Sequence, residues 1–106
     1  MMIDIDHFKR FNDQFGHDAG DFVMGQVAAI MTSIAGPGGV VHRYGGEEFA
    51  IILRKQDTTA ALHTAEAIRH AIETAPIDYQ GRPLGTVTVS IGIASTEDDR
   101  PKATLM

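Results

Sequence analysis

The first six residues place two carboxylates where they could bind a cation. Asp4 and Asp6 alternate with Ile3 and Ile5 along a short apolar run. Side chains on a strand point alternately to its two faces, so the isoleucines share one face and the acids share the other. A strand that buries its isoleucines therefore directs both carboxylates toward its exposed end.

A second pair of acids follows a glycine dipeptide in the middle of the chain. Glu47 and Glu48 come directly after Gly45 and Gly46, and apolar runs flank the whole stretch. Two adjacent glycines suit the positive φ angles of a tight hairpin turn. If this hairpin lies beside the first strand, we expect Glu47 to come near Asp4.

Carboxylates from two strands, together with a backbone carbonyl, form a hard-oxygen site. Such a site suits Mg²⁺ held together with substrate phosphates. The alternative is that each acid is an ordinary strand-end or turn charge in water. An EF-hand is excluded, because the pattern that begins at Asp4 would require a glycine at the position of Lys9.

The periodicity of apolar residues predicts the elements that position these acids. The polar stretch 7–21 is expected to be an irregular connection, and the glycine-rich stretch 36–39 ends the first helix. The second helix should begin at a Thr58 or Thr59 cap, end at Pro76, and bury Leu62, Ala65, Ile68 and Ile72. The first helix is predicted over about residues 21–35. The predicted strands are residues 1–6, 40–44, 48–53 and 86–93. A further short strand at 77–79 is expected to pair beside the last of these.

This order, β-α-β-β-α-β, predicts an α+β fold with a mainly antiparallel sheet and both helices on one face, as in ferredoxin-like and polymerase-palm folds. A single domain over residues 1–106 is expected. The chain begins directly in a strand and ends in "STEDDRPKATLM", where a helix could start. We therefore expect a piece truncated at both ends.

Composition excludes several classes of protein. With 9 basic and 14 acidic residues the net charge is −5, and no basic run is present, which argues against binding a nucleic acid polymer. The absence of cysteine excludes disulfides and thiolate zinc sites. No apolar run is long enough for a membrane span, and the first residues lack the pattern of a signal peptide. A cytoplasmic domain without membrane contact is predicted.

Three blocks, "MMIDIDHFKRFNDQFGHDAGD", "HRYGGEEF" and "VTVSIGIA", resemble the signature blocks of GGDEF domains in the same order and spacing. GGDEF domains are diguanylate cyclases, which condense two GTP into cyclic di-GMP and release pyrophosphate in bacterial signalling. The form "GGEEF" is an accepted active variant of the signature. The resemblance extends through almost the whole chain.

The resemblance assigns roles to the acids. It implies that Asp4 and Glu47 through their carboxylates, and Ile5 through its carbonyl, hold Mg²⁺, with Mn²⁺ as an alternative. Glu48 matches the second signature acid, which either supports metal binding or deprotonates the attacking 3′-hydroxyl. Which glutamate is the base stays open, and Asp6 is expected to orient its neighbours.

The resemblance also implies how the nucleotide is bound. Asn12 and Asp21 match residues that read guanine, although Asp21 could equally be a charge that favours the start of a helix. The backbone amides of His7 and Phe8 match a phosphate cradle, and Lys9 matches a catalytic cation. We expect His17 to fix its loop and Arg43 to be structural.

GGDEF domains act in pairs, so the resemblance implies a twofold dimer in which each domain holds one GTP. A sensory or receiver domain is expected elsewhere in the parent protein. The family's inhibitory Arg-x-x-Asp motif is replaced by Gly36-Pro37-Gly38-Gly39, and the family's last helix lies beyond this sequence. The isolated piece is therefore expected to be poorly active.

Two other functions remain open on the sequence. One is a catalytically weak GGDEF module that binds GTP or cyclic di-GMP to regulate a partner domain. Degenerate members of that kind usually lose signature acids, whereas all of them are present here. The other is a dimerisation element without nucleotide, which would leave the acids unexplained.

Overall fold

The computed structural model describes residues 1–94. In chain order its elements are β1 (Met2–Ile5), α1 (Phe8–Phe15), α2 (His17–Ala35), β2 (Gly39–Arg43), β3 (Glu48–Leu53), α3 (Thr58–Thr74), β4 (Asp78–Tyr79), β5 (Arg82–Pro83) and β6 (Val89–Gly92). A strand was predicted over residues 86–93, but only Val89–Gly92 pair with β1, so the observed strand β6 is shorter.

The main sheet has the strand order β2-β3-β1-β6, and every neighbouring pair in it is antiparallel. β1 is therefore a central strand, with β3 on one side and β6 on the other. The predicted α+β class with an antiparallel, palm-like sheet is confirmed. Its consequence for the site is that the acids of β1 lie between two neighbouring strands.

One face of the sheet forms the core with the two long helices. The buried side chains of the strands alternate along the chain as predicted, and those of the helices face them. The core includes Ile3, Ile5, Phe49, Ile51, Val89 and Ile91 from the strands, and Val23, Val27, Met31, Ala65, Ile68 and Ile72 from α2 and α3. On the other face Met2, Val40 and Ile52 are exposed.

The prediction of an irregular connection at residues 7–21 is wrong. This stretch contains all of α1 and the start of α2, which begins four residues earlier than expected. Phe8, Phe11 and Phe15 recur at helical spacing; the rings of Phe8 and Phe11 stack, and those of Phe11 and Phe15 meet at a tilt. Gly16, with φ of 94°, separates the two helices. The polar residues between the phenylalanines obscured this apolar stripe.

The start of α3 also differs from the prediction. Its N-cap is Asp57, whose carboxylate accepts a hydrogen bond from the Ala60 amide at 2.8 Å, and neither Thr58 nor Thr59 is the cap. Asp is as good an N-cap as Ser and better than Thr, and it precedes both threonines. Ala65, Ile68 and Ile72 are buried as expected, whereas Leu62 is 39% exposed.

Two hairpins depart from the sequence prediction. The loop between β2 and β3 covers the four residues 44–47, and neither Gly45 nor Gly46 has a positive φ. Because the loop is longer than a two-residue turn, it does not need the left-handed conformation. The strand expected at 77–79 becomes β4, which pairs with β5 in a separate two-stranded sheet and does not pair with β6.

None of the helices within residues 1–94 combines the length and the apolar character needed to cross a bilayer.

Candidate functional site

A cleft of about 500 Å³ lies between the first two helices and the β2–β3 loop. One wall comes from α1 and the start of α2, and the other from the end of β2 and the start of β3. Its lining residues are Phe8, Lys9, Asn12, Asp13, His17, Asp21, Arg43, Gly46, Glu47 and Glu48. This volume falls in the range of small-molecule sites.

On the helical wall, the amide of Asn12 is packed against the backbone of α2. Its Oδ1 is buried and has no hydrogen-bond partner among the described residues. Gly20 lies so close that an added Cβ would overlap this oxygen. A buried acceptor without a donor is unfavourable, typically by about 1–3 kcal/mol. The Asn12 amide can therefore turn toward a donor in the cleft without giving up a hydrogen bond.

On the opposite wall, the β2–β3 loop is held by its own backbone and by Arg43. The amides of Tyr44 and Gly45 donate to the carbonyl of Glu48 at 2.8 and 3.3 Å. The guanidinium of Arg43 donates from Nε to the Gly45 carbonyl at 3.3 Å and from Nη2 to the Gly46 carbonyl at 3.0 Å. These bonds fix the backbone just before the two glutamates.

The end of β1 meets the same loop. The amide of Ile5 donates to the carbonyl of Glu47 at 3.1 Å, so Glu47 lies beside β1 as expected. The residue directly opposite Asp4 in the register is Glu48, not Glu47. Directly opposed residues of an antiparallel pair share a face, and two like charges there repel each other. A cation between Asp4 and Glu48 would relieve that repulsion.

Asp6 is held on the other side of β1. Its two carboxylate oxygens accept hydrogen bonds from Thr88 Oγ1 at 2.8 Å and from Ser90 Oγ at 2.7 Å. Its amide also donates to the carbonyl of Thr88 at 2.9 Å. With both oxygens engaged, Asp6 ties the end of β1 to β6 and to the residue just before it.

His7 turns the chain from β1 into α1. Its φ of 57° and ψ of 30° lie in the left-handed region, which is uncommon for a residue other than glycine. This conformation brings the first turn of α1 directly after the acidic end of β1. No side chain in the described part of the chain caps that turn. The first amides of a helix lack partners within the helix and attract anions.

The structure brings together most of the predicted site residues, but not all of them. Phe8, Lys9, Asn12, Asp21, Glu47 and Glu48 line the cleft. Asp4 borders a separate groove on the open face of the sheet with Glu48 and Ser90, while Ile5 and His7 border a third groove beside α1. Glu48, which touches two of these spaces, connects them.

The residues at the end of β1 can contribute to a metal site without completing one. Within residues 1–94, no three His, Asp or Glu side chains gather closely enough to hold a metal ion. The available donors are carboxylates and a carbonyl, which is the oxygen chemistry that Mg²⁺ prefers. Mg²⁺ usually keeps several waters and phosphate oxygens, so this partial set fits it.

Sequence reasoning missed several residues of the cleft. Asp13 was not predicted, Gly46 was expected only to form the turn, and Arg43 was expected to be structural only. His17, expected to fix a loop, is the exposed first residue of α2 and lines the cleft. Recognising α1 would have found Asp13, since it follows Asn12 on the same short helix.

An antiparallel palm-like sheet, with acids at the strand ends beside a polar cleft, defines a domain suited to nucleotide phosphate chemistry. The sequence model of the family described as "Diguanylate cyclase, GGDEF domain" matches residues 1–106. The chain therefore belongs to the GGDEF family of diguanylate cyclases.

Individual relatives agree with this assignment. Diguanylate cyclase A of Treponema denticola is 44% identical over 103 residues, covering 97% of this chain and 28% of the relative. The GGDEF domain of DgcB from Caulobacter crescentus, crystallised in complex with c-di-GMP, has a TM-score of 0.78 and 40% identity, covering 84% of this chain and 53% of that one. The active GGEEF domain of a diguanylate cyclase from Vibrio cholerae has a TM-score of 0.74 and 39% identity, covering 83% and 55% of the two chains. The chain thus spans about a quarter of the Treponema protein and about half of each solved chain.

Proposed function

We propose that this domain condenses two GTP into cyclic di-GMP and releases pyrophosphate. The observation that carries the proposal is the convergence of a base-reading pair, a lysine and two signature acids on one cleft of about 500 Å³. Membership of the family supports the same activity.

Guanine is read by Asn12 and Asp21 in this proposal. Guanine presents two donors on its pairing edge, N1–H and N2–H₂, whereas adenine presents an acceptor at N1. The carboxylate of Asp21 is an acceptor at the cleft, and Asn12 Oδ1, now buried against Gly20, becomes a second acceptor when the amide turns toward the base. Adenine would leave one of these groups facing another acceptor, which makes the site selective for guanine.

The phosphates are held by the first turn of α1 and by Lys9, which is exposed at the cleft. Asp4, Glu47 and the Ile5 carbonyl would hold Mg²⁺, or Mn²⁺ in its place, and Glu48 faces Asp4 from the neighbouring strand. The ion, when bound with the substrate, would neutralise charge on the phosphates. Lys9 adds a cation near the transferring group.

The bond-forming step is phosphoryl transfer. The 3′-oxygen of one GTP attacks the α-phosphorus of the other, the bond to the bridging oxygen breaks, and pyrophosphate leaves with its electron pair. Glu47 or Glu48 accepts the proton of the 3′-hydroxyl. A second step of the same kind closes the ring: the 3′-oxygen of the second nucleotide attacks the α-phosphorus of the first, and another pyrophosphate leaves. Two GTP thus yield one cyclic di-GMP and two pyrophosphates. Positioning and electrostatics supply most of the catalysis.

Two domains must meet in this reaction, because each cleft holds one GTP. A second GGDEF domain related by a twofold axis is therefore the partner that completes the site. We place the activity in the cytoplasm, where GTP is available, under the control of a sensory or receiver domain of the parent protein.

Because the isolated piece is expected to be poorly active, the proposal is tested by incubating the full-length parent protein with GTP and Mg²⁺ and separating the nucleotides by chromatography. Glu47→Gln keeps the size of the side chain but removes its charge, so cyclic di-GMP formation should fall at least about 100-fold. Glu73→Gln, an acid on α3 that does not line the cleft, is the control and should leave the rate unchanged. GTP binding without any cyclic di-GMP, or equal rates for Glu47→Gln and the unmutated protein, would contradict a cyclase.

A further inference from the structure

Gly20 occupies an unusual place between the two helices that form one wall of the cleft. It is buried in the first turns of α2, directly against the side chain of Asn12. A Cβ at this position would overlap Asn12 Oδ1 and lie 2.9 Å from Asn12 Cγ and 3.2 Å from Phe8 Cζ. The space that a side chain would fill is therefore taken by the Asn12 amide.

The backbone of Gly20 does not itself require glycine. Its φ is not positive, in contrast to Gly16 just before α2. A glycine inside a helix normally makes the helix less stable than an alanine does. The fold alone would thus favour alanine at position 20, so the reason for glycine lies in the neighbouring side chain.

The neighbouring side chain, that of Asn12, has an oxygen atom without a hydrogen-bond partner in the described residues. This oxygen, Oδ1, is buried, and Asn12 lines the cleft. The clash with an added Cβ involves the free end of a side chain, which can move, and involves no backbone atom. A substitution at Gly20 would consequently displace the amide while leaving the helices in place.

We propose that Gly20 is a specificity-determining residue: its missing side chain seats the Asn12 amide at the depth needed to read guanine. This inference rests on the proposed function, because it assumes that Asn12 faces the base. Gly20 touches no substrate and acts through Asn12, so it is a positioning residue. The absence of a side chain at position 20 thus controls base selectivity without any contact between Gly20 and the base.

Gly20→Ala tests the proposal, with Gly25→Ala as the matched control. Gly25 lies on the same helix, is exposed, and has nothing within 4 Å of an added Cβ. Gly25→Ala should raise the melting temperature by about 3–6 °C and leave nucleotide affinity unchanged. Gly20→Ala should still fold, yet lose about 10-fold or more in GTP affinity while ATP affinity stays the same. Calorimetric titration with both nucleotides measures the ratio.

The claim that Gly20 acts through the Asn12 side chain is tested by introducing Gly20→Ala into the Asn12→Ala variant. Without the amide there is nothing to displace, so adding Gly20→Ala should leave GTP affinity unchanged. A further 10-fold loss in the double variant would overturn the proposal. If Gly20→Ala alone fails to fold, restored folding in the double variant supports the overlap, and persistent unfolding contradicts it.

A readout that needs no nucleotide separates this proposal from the proposed function. Gly20→Ala should move the Asn12 side-chain amide cross-peaks in a ¹H–¹⁵N spectrum, whereas Gly25→Ala should leave them in place. Unmoved cross-peaks would contradict the role assigned to Gly20 and would leave the proposed guanine site untouched. Failure of the unmutated protein to prefer GTP over ATP would end both the guanine site and the selectivity assigned to Gly20.

Discussion

Arg43 shows how a single side chain can set the position of the signature acids. Its guanidinium bonds two consecutive carbonyls, those of Gly45 and Gly46, at 3.3 and 3.0 Å. Lysine carries the same charge but lacks the planar fork that reaches both. We expect Arg43→Lys to slow cyclic di-GMP formation on the order of 10- to 100-fold, because misplaced catalytic groups lose rate steeply. Because Arg43 is exposed, the free energy of unfolding should change by less than about 1 kcal/mol.

Arg54 provides the comparison for this prediction. It is an exposed arginine just past the far end of β3, and it does not line the cleft. Arg54→Lys should retain full activity in the same chromatographic assay. A rate for Arg43→Lys equal to that of Arg54→Lys would show that the loop holds its position without the guanidinium.

The site residues that belong to a sequence motif could be predicted from the sequence. The contacts between those residues could not. The quoted blocks pointed to Asn12, Asp21 and the acid pair, and the structure places all of these on one cleft. The pairing of Asp4 with Glu48 could not be predicted, because β1 and β3 are far apart in the chain and no hairpin turn fixes their register. The overlap between Gly20 and Asn12 depends on how α1 crosses α2, which periodicity does not give.

At the scale of elements, the connection between α2 and β2 has a shape that suits glycine at the positions where the resemblance places the family's Arg-x-x-Asp motif. Gly36 has φ of 71° and ψ of −169°, a region that is essentially restricted to glycine. A Cβ at Gly39 would lie 2.6 Å from the Cβ of Ala35 and 3.3 Å from its carbonyl oxygen. The two positions where the family's arginine and aspartate would stand are thus the two that tolerate side chains least.

Gly39→Ala should therefore destabilise the fold by about 1–3 kcal/mol, since it overpacks the junction of α2 and β2. Gly38→Ala is the control, because its Cβ would meet nothing closer than the Arg54 carbonyl at 4.0 Å. Its free energy of unfolding should change by less than about 0.5 kcal/mol. Urea denaturation of both variants measures the difference. Equal stability of the two would mean that Ala35 can give way.

Elements were predictable where one pattern dominated. β1 and β6 alternate apolar and polar residues, β3 is a short continuous apolar run after Glu48, and the glycines after α2 mark the end of that helix. These elements were therefore found within a few residues. α1 was missed because its three phenylalanines are separated by charged and amide side chains and followed by Gly16. The cap of α3 was misplaced by one residue because Asp57 and the two threonines are all acceptable there.

At the scale of the whole molecule, the proposed reaction needs two nucleotides, whereas the proposed site is one cleft per chain. The described residues offer a single set of Asn12, Asp21 and signature acids, on one side of the sheet. Under the proposed function, the second GTP would be held in the cleft of another copy. Each copy carries a net charge of −5, so the copies also repel each other at low salt. Activity should then depend on how often two loaded domains meet.

The expected outcome is a rate of cyclic di-GMP formation that rises with the square of protein concentration in dilute solution. Association of two separate domains is opposed by lost translational and rotational freedom, so dimers are scarce until the concentration approaches their dissociation constant. Above that concentration the slope of log rate against log concentration should fall from about two to one. Initial rates at saturating GTP, measured beside sedimentation velocity at each concentration, provide the test. A slope of one where sedimentation shows only monomers would mean that a single chain completes the reaction, and the twofold arrangement would have to be abandoned.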